Sequence, residues 1–168
     1  MDRHLAKLQR DIDAALAGLS HQQLAWHPDG KWSSAEILEH LYLTYTGTTK
    51  GFGRVIEAGK SLARKTTLRD HARALVVVGL GYIPGGRESP PTARPRGMPA
   101  EAVLAGIGQK LAELDETMNR CAAKFGTRAK LLDHPFLGPF SVEQWRKFHL
   151  VHGMHHVKQI HRLRTNMS

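Results

Sequence analysis

Five of the chain's 11 histidines fall between positions 149 and 161. At about 100° per residue, Trp145, His149, His152, His156, Ile160 and Leu163 share one helical face, while His155 and His161 point toward solvent. His152 and His156 stand four apart, which brings their Cβ atoms to ~5–6 Å and lets both imidazoles converge on one ion. His149 lies on the same face and can replace or supplement a ligand. It sits ~10 Å along the axis from His156, too far for one straight helix to aim all three at one ion. A third ligand must come from elsewhere, and His40 is the leading candidate, at the edge of another apolar stripe beside Thr44. It lies ~10 Å beyond its helix start, and the His152/His156 midpoint lies ~15 Å before its helix end. Antiparallel packing therefore matches the two levels to within a turn.

Three neutral imidazoles suit zinc, nickel, iron or copper and serve calcium or magnesium poorly. Three protein ligands also leave a coordination position open, as in catalytic sites. That position can acidify a water or hold a thiol as thiolate. Two plainer readings stand beside this one: a hydrogen-bonded polar core, because each buried imidazole needs a partner, and a fortuitous surface cluster. Gly153 follows His152, so the glutamate of an HExxH protease motif is missing.

The elements that must carry these residues are helical. Leu5, Leu8, Ile12, Leu16 and Leu19 mark a first helix over about residues 2–19. His21–Lys31 reads as a connector, with Pro28, Asp29 and Gly30 supplying turn chemistry. A second helix opens on a capping box, Ser33 with Glu36, flanked by Trp32 and Ile37 as a staple. Ile37, Leu41, Thr48, Phe52 and Val55 form its inner stripe. Gly47, Gly51 and Gly53 each weaken it by roughly 1 kcal/mol relative to Ala, for close packing or a bend. A short helix is expected from about Leu68 to Val78, with Thr67 as cap and Asp70 at its third position. Gly79–Met98 holds five glycines and four prolines and reads as a long crossover. Val103, Ile107, Leu111, Leu114 and Met118 mark a helix over about residues 99–124, started by Pro99 and stopped by Gly126. His134–Pro139 reads as a tight loop. The last helix repeats the cap grammar, Ser141 with Gln144 and the Phe140/Trp145 staple, and runs to about Arg164. Almost no segment alternates with period two. The fold class is all-α, a four-helix bundle with a long connection between its second and third helices.

The 168 residues, 41% of them hydrophobic, suit one domain over 1–168. The one cysteine, Cys121, reads as a packed helix residue and fits a reducing compartment. Met1–Arg10 has no apolar signal region, and the longest apolar run, Ala74–Ile83, is too short to cross a membrane, so a cytoplasmic protein is expected. The net charge of +9 is spread along the chain. Its densest stretch, Arg87–Arg96, is broken by prolines and lacks interleaved aromatics, which favours a solvated basic surface over nucleic-acid binding.

Trp32-Ser33, Glu36 and His40-Leu41, followed by His152-Gly153-Met154-His155-His156 and Gln159-Ile160, resemble the DinB/YfiT-like superfamily of metalloenzymes. His134-Pro135, Gly138-Pro139 and Trp145-Arg146-Lys147-Phe148-His149 resemble a branch of it defined as a domain of unknown function. The resemblance implies an up-down-down-up four-helix bundle. It also implies a metal on His40, His152 and His156, and the expected ion is a divalent transition metal, zinc or nickel first and iron next. Some members of the superfamily are thiol-dependent S-transferases or isomerases using mycothiol or bacillithiol, and many are homodimers. The expectation is a metal-dependent S-transferase or hydrolase acting on a small molecule, with a low-molecular-weight thiol as cosubstrate. His149 is the candidate acid/base or ligand-supporting group, and Trp145, Gln159 and Thr44 are candidates to line the pocket or to support the ligands, Gln159 by orienting one of them. Two alternatives remain: a non-enzymatic metal-binding or stress-related protein, and a nucleic-acid binder using Arg94 and Arg96.

Overall fold

Ser33, Thr67 and Ser141 each accept a hydrogen bond from the backbone N–H three residues on, and the Glu36, Asp70 and Gln144 side chains reach back to close the box. These caps start three of the helices in the computed structural model, which describes residues 1–83 and 88–167. In chain order the described helices are α1 (Arg3–Leu16), α2 (His21–Ala25), α3 (Ser34–Ala58), α4 (Leu68–Ala74), α5 (Ala100–Phe125) and α6 (Val142–Asn166). The protein is mostly helical, as expected.

Several boundaries differ from the sequence reading. α1 ends at Leu16 and the chain turns at Gly18, with φ +75°. The connector after it contains α2, because Ser20 and Gln23 form a fourth capping box. α4 runs on through a π-helical turn, Leu75–Gly79, in which the Leu80 N–H reaches back to the Leu75 carbonyl at 2.9 Å. Residues 84–87 of the long crossover lie outside the described residues. Its later part is anchored, with a 3₁₀ turn at Pro91–Ala93.

The expected tight loop is a small hairpin. β1 (Leu132–His134) pairs antiparallel with β2 (Gly138–Phe140), Leu132 opposite Phe140 and His134 opposite Gly138. Gly138 is required twice. Its φ is +84°, and a Cβ there would overlap the Asp70 carboxylate. Asp70 is itself buried, held by Arg64 at 2.7 and 2.8 Å and by the Thr67 N–H at 2.8 Å. The Arg64 guanidinium holds its carboxyl well below the usual carboxylate range.

α3 packs chiefly on α5, and α1 on α6. One buried cluster joins Leu5, Leu8, Ile37, Leu41, Phe52, Leu111, Met118, Val157 and Ile160, and it includes Cys121. Gly153 brings α1 close, since a Cβ there would overlap Leu8. Of the three α3 glycines, Gly51 serves close packing, against Leu132, whereas Gly47 and Gly53 face open space. A buried ion pair joins α6 to α5: Arg146 donates to Asp115 at 3.0 Å and to Asn119 at 2.6 Å. Among the described residues, no helix is long and apolar enough to cross a membrane.

Candidate metal centre

The Ser33 cap places His40 two turns into α3, on the side that α6 approaches. On α6, His152 and His156 follow each other by one turn, as the four-residue spacing requires. The structure brings all three together: one ligand nitrogen from each lies within 4.8 Å of the other two. His40 Nε2 is 3.2 Å from His152 Nε2, and His156 Nε2 is 3.1 Å from it. Zinc–nitrogen bonds of about 2.0–2.1 Å arranged tetrahedrally would set neighbouring nitrogens ~3.3–3.4 Å apart, so the two spacings at His152 are close to those of a ligand cage.

The far sides of the rings decide what the near sides offer. His40 Nδ1 donates to the Ala93 carbonyl at 2.7 Å, an acceptor that cannot donate. His156 Nδ1 donates to Gln159 Oε1 at 2.7 Å, and the Gln159 amide NH₂ donates to His155 Nε2 at 3.3 Å. In the neutral rings both Nε2 atoms are therefore bare lone pairs aimed at His152. His152 cannot satisfy this arrangement alone. A hydrogen on its Nε2 must be shared between two acceptors, leaving its buried Nδ1 without a partner among the described residues. A hydrogen on Nδ1 strands that donor and leaves three lone pairs facing one another. A cation at the centre relieves the convergence, so the donor set fits a transition metal.

The electrostatics agree with neutral ligands. Burial, then the charges of His156 and His40, hold His152 well below the ordinary imidazole value. Burial, then His40, push His156 down to about 3. Burial also lowers His40, partly offset by its bond to Ala93. Neutral imidazole is the form that binds metal.

His40 is supported from its own helix. Glu39, 2% exposed, accepts the backbone N–H groups of Arg96 at 2.6 Å and of Gly97 and Met98 at 3.1 Å each. That grip fixes the end of the crossover and keeps the Ala93 carbonyl against His40. Nothing in the sequence reading singled out Glu39 or Ala93. The readable signal was an acidic residue between Leu38 and His40 on a buried stretch of helix; the backbone acceptor carried none.

An open cleft reaches the three histidines. Its wall near them includes Trp32, Ile37, Thr44, Phe148 and Gln159, and farther along it includes His134 and Trp145. Thr44 uses its hydroxyl on the His40 carbonyl at 2.8 Å and does not touch the ring nitrogens. Trp145 is almost wholly buried and donates Nε1–H to the Leu132 carbonyl at 3.2 Å, so it braces the hairpin as well as the cleft wall. His155 is half-buried and tied to Gln159, where the helical phase had sent it to solvent; His161 is exposed.

His149 is fully buried, outside the cleft wall, and stacked on Trp145 with centroids 5.6 Å apart. Neither ring nitrogen has a described partner. Burial, then the nearby His134, push it down to about 3. It is a neutral ring packed behind the Trp145 and Phe148 side of the cleft wall.

No curated protein and no solved structure matches the chain. A family model described as "Protein of unknown function (DUF1569)" matches residues 4–163, a span that encloses His40, His152 and His156. The chain belongs to the DUF1569 family.

Proposed function

We propose that this protein is a transition-metal-dependent enzyme of the DinB/YfiT-like type, an S-transferase or hydrolase that takes a small-molecule thiol or water at an open metal position. The observation that carries the reading is the convergence of three neutral Nε2 atoms, two with their far nitrogens committed as donors. His40, His152 and His156 are the ligands, and zinc or nickel is favoured over iron. A divalent ion there supplies Lewis acidity, lowering the pKa of a thiol or water toward neutrality. The chain's own part is to keep the imidazoles neutral, to hold His40 and His156 by Ala93 and Gln159, and to line the approach with Phe148 and Trp32. An up-down-down-up four-helix bundle and a homodimer belong to the same proposal. Leu68, Leu75, Leu80 and Tyr82, all exposed, offer apolar surface for pairing.

The chief alternative is a metal-binding protein without turnover. The cleft open to the histidines favours the enzyme. Nucleic-acid binding through Arg94 and Arg96 is less favoured, because Arg94 pairs with Glu88 and Arg96 donates to the Thr92 carbonyl. The test is turnover of an electrophile such as monochlorobimane with mycothiol, bacillithiol, cysteine or coenzyme A. Zinc- and nickel-loaded wild type is compared with His152→Ala. Metal-dependent turnover lost in the variant supports the enzyme. Stoichiometric metal with no turnover across the thiols, and none with ester or amide substrates, favours the non-enzymatic reading.

A further inference from the structure

His134 ends β1, and its ring is fixed from one side. Nδ1 accepts two backbone N–H groups, from Phe136 and from Leu137, each at 3.2 Å. A nitrogen that accepts has no hydrogen of its own, so the proton of the neutral ring sits on Nε2. Burial favours the neutral form, pushing the pKa down to about 4, and the two backbone donors favour it further. Nε2 has no hydrogen-bond partner among the described residues, and the residue as a whole is half-buried. His134 lies in the cleft wall with Phe148 and His152. Phe148 is the spacer between them: its ring centroid is 4.4 Å from that of His134 and 5.3 Å from that of His152, the latter nearly parallel at 15°. The Phe148 ring thus touches both the fixed His134 ring and that of one candidate ligand, His152.

The geometry points to His134 as the donor that selects the substrate: its Nε2–H takes a carbonyl or carboxylate oxygen of a thiol whose sulfur lies at His40, His152 and His156. This rests on the thiol reading above and adds a requirement that reading lacks. The thiol must carry an oxygen acceptor a few atoms from sulfur, joined by a segment that can lie against Phe148. A neutral N–H carries direction but no net charge, so it reads an acceptor's position rather than drawing in any anion. Sites built around such a donor discriminate strongly against analogues lacking the acceptor, because the donor is then left unpaired. The plainer role for His134 is to brace the hairpin turn, and a test must separate the two.

His134→Asn separates them. The asparagine Oδ1 can accept the same two backbone N–H groups, as in an Asx-turn, while its NH₂ stops short of the position that the His134 Nε2–H holds in the cleft. Cobalt-loaded wild type and variant are titrated with N-acetylcysteine, which carries oxygen acceptors, and with 1-propanethiol, which has none. The thiolate-to-cobalt absorption reports binding, and the ¹⁵N resonance of His134 Nε2 is followed in the zinc form. In wild type, N-acetylcysteine binds about tenfold tighter than propanethiol, the value of one well-placed hydrogen bond. In His134→Asn the preference disappears and propanethiol is unaffected. A preference that survives in the variant, or that wild type never shows, overturns the assignment. An Nε2 resonance that moves with N-acetylcysteine while the cobalt bands stay still supports the donor and refutes thiolate ligation. A resonance that never moves overturns the donor, whatever the cobalt bands do.

Discussion

Glu39→Gln tests whether the crossover segment helps to make the metal site. The wild-type carboxylate accepts three N–H groups, Arg96 on Oε1 and Gly97 and Met98 on Oε2. Glutamine has one acceptor oxygen. Set in the Oε2 position it keeps two of the bonds, and its NH₂ then faces the Arg96 N–H donor to donor. One charge-assisted bond of about 1.5–3 kcal/mol is lost and the other two fall to ordinary amide strength, so docking of residues 96–98 weakens by roughly 3 kcal/mol. Undocking frees the Ala93 carbonyl from His40 Nδ1–H. Loss of such a ligand-orienting partner typically costs about 10–100-fold in metal affinity. Zinc affinity is measured by competition with a chromophoric chelator, and hydrogen exchange reports the amides of Arg96, Gly97 and Met98. Faster exchange with zinc binding 10–100-fold weaker is expected. Fast exchange with unchanged affinity would refute the coupling, since the loop would then leave without consequence for His40.

Gly153→Ala places a Cβ on Leu8 of α1. Overpacking of about 1–3 kcal/mol then outweighs the roughly 1 kcal/mol that alanine gains in a helix. The variant should lose about 1 kcal/mol in urea unfolding, and in a Leu8→Ala background the same substitution should turn stabilising; an unchanged sign in both backgrounds would contradict the close approach of α1 and α6. The metal-free protein should also lose stability in acid. Burial sets His134 at about 4 and His149 at about 3, against 6.5 in the unfolded chain. Folded values below the unfolded one mean that the unfolded chain takes up protons first, so stability is full above about 6.5 and falls as the pH drops toward the folded values. His149→Phe should flatten that acid limb and leave zinc affinity within about threefold, because His149 is packed away from the cleft. A tenfold loss of zinc binding in this variant would place His149 in the site after all.

The grammar of helix starts was readable because it is local. Ser33/Glu36, Thr67/Asp70 and Ser141/Gln144 each lie within four residues, and all three boxes formed. Ser20/Gln23 has the same form but precedes only a five-residue helix, too short to show apolar periodicity. Of the histidine cluster, the His152/His156 pair was readable from one helical turn, and His40 from depth along an assumed antiparallel packing. Gln159, which holds His156, was also among the candidates, whereas what holds His40 was hidden. Ala93 contributes a backbone carbonyl, 53 residues from His40 in sequence, and carries no side-chain signal. The hairpin strands are three residues each, too short for alternation to register, so His134 read as loop. His149 shows the limit of helical phase: it places a side chain on the inward face but does not distinguish the cleft from the core behind it.

The central claim is that His40, His152 and His156 hold a transition metal, and metal content tests it most directly. Protein purified without a histidine tag is analysed for metals, beside His152→Ala prepared identically. About one transition-metal ion per chain is expected in the wild type, lost in the variant, with chelator lowering the wild-type melting temperature. Wild-type protein free of metal in every preparation, failing to take up added zinc or nickel and melting unchanged with chelator, would contradict it.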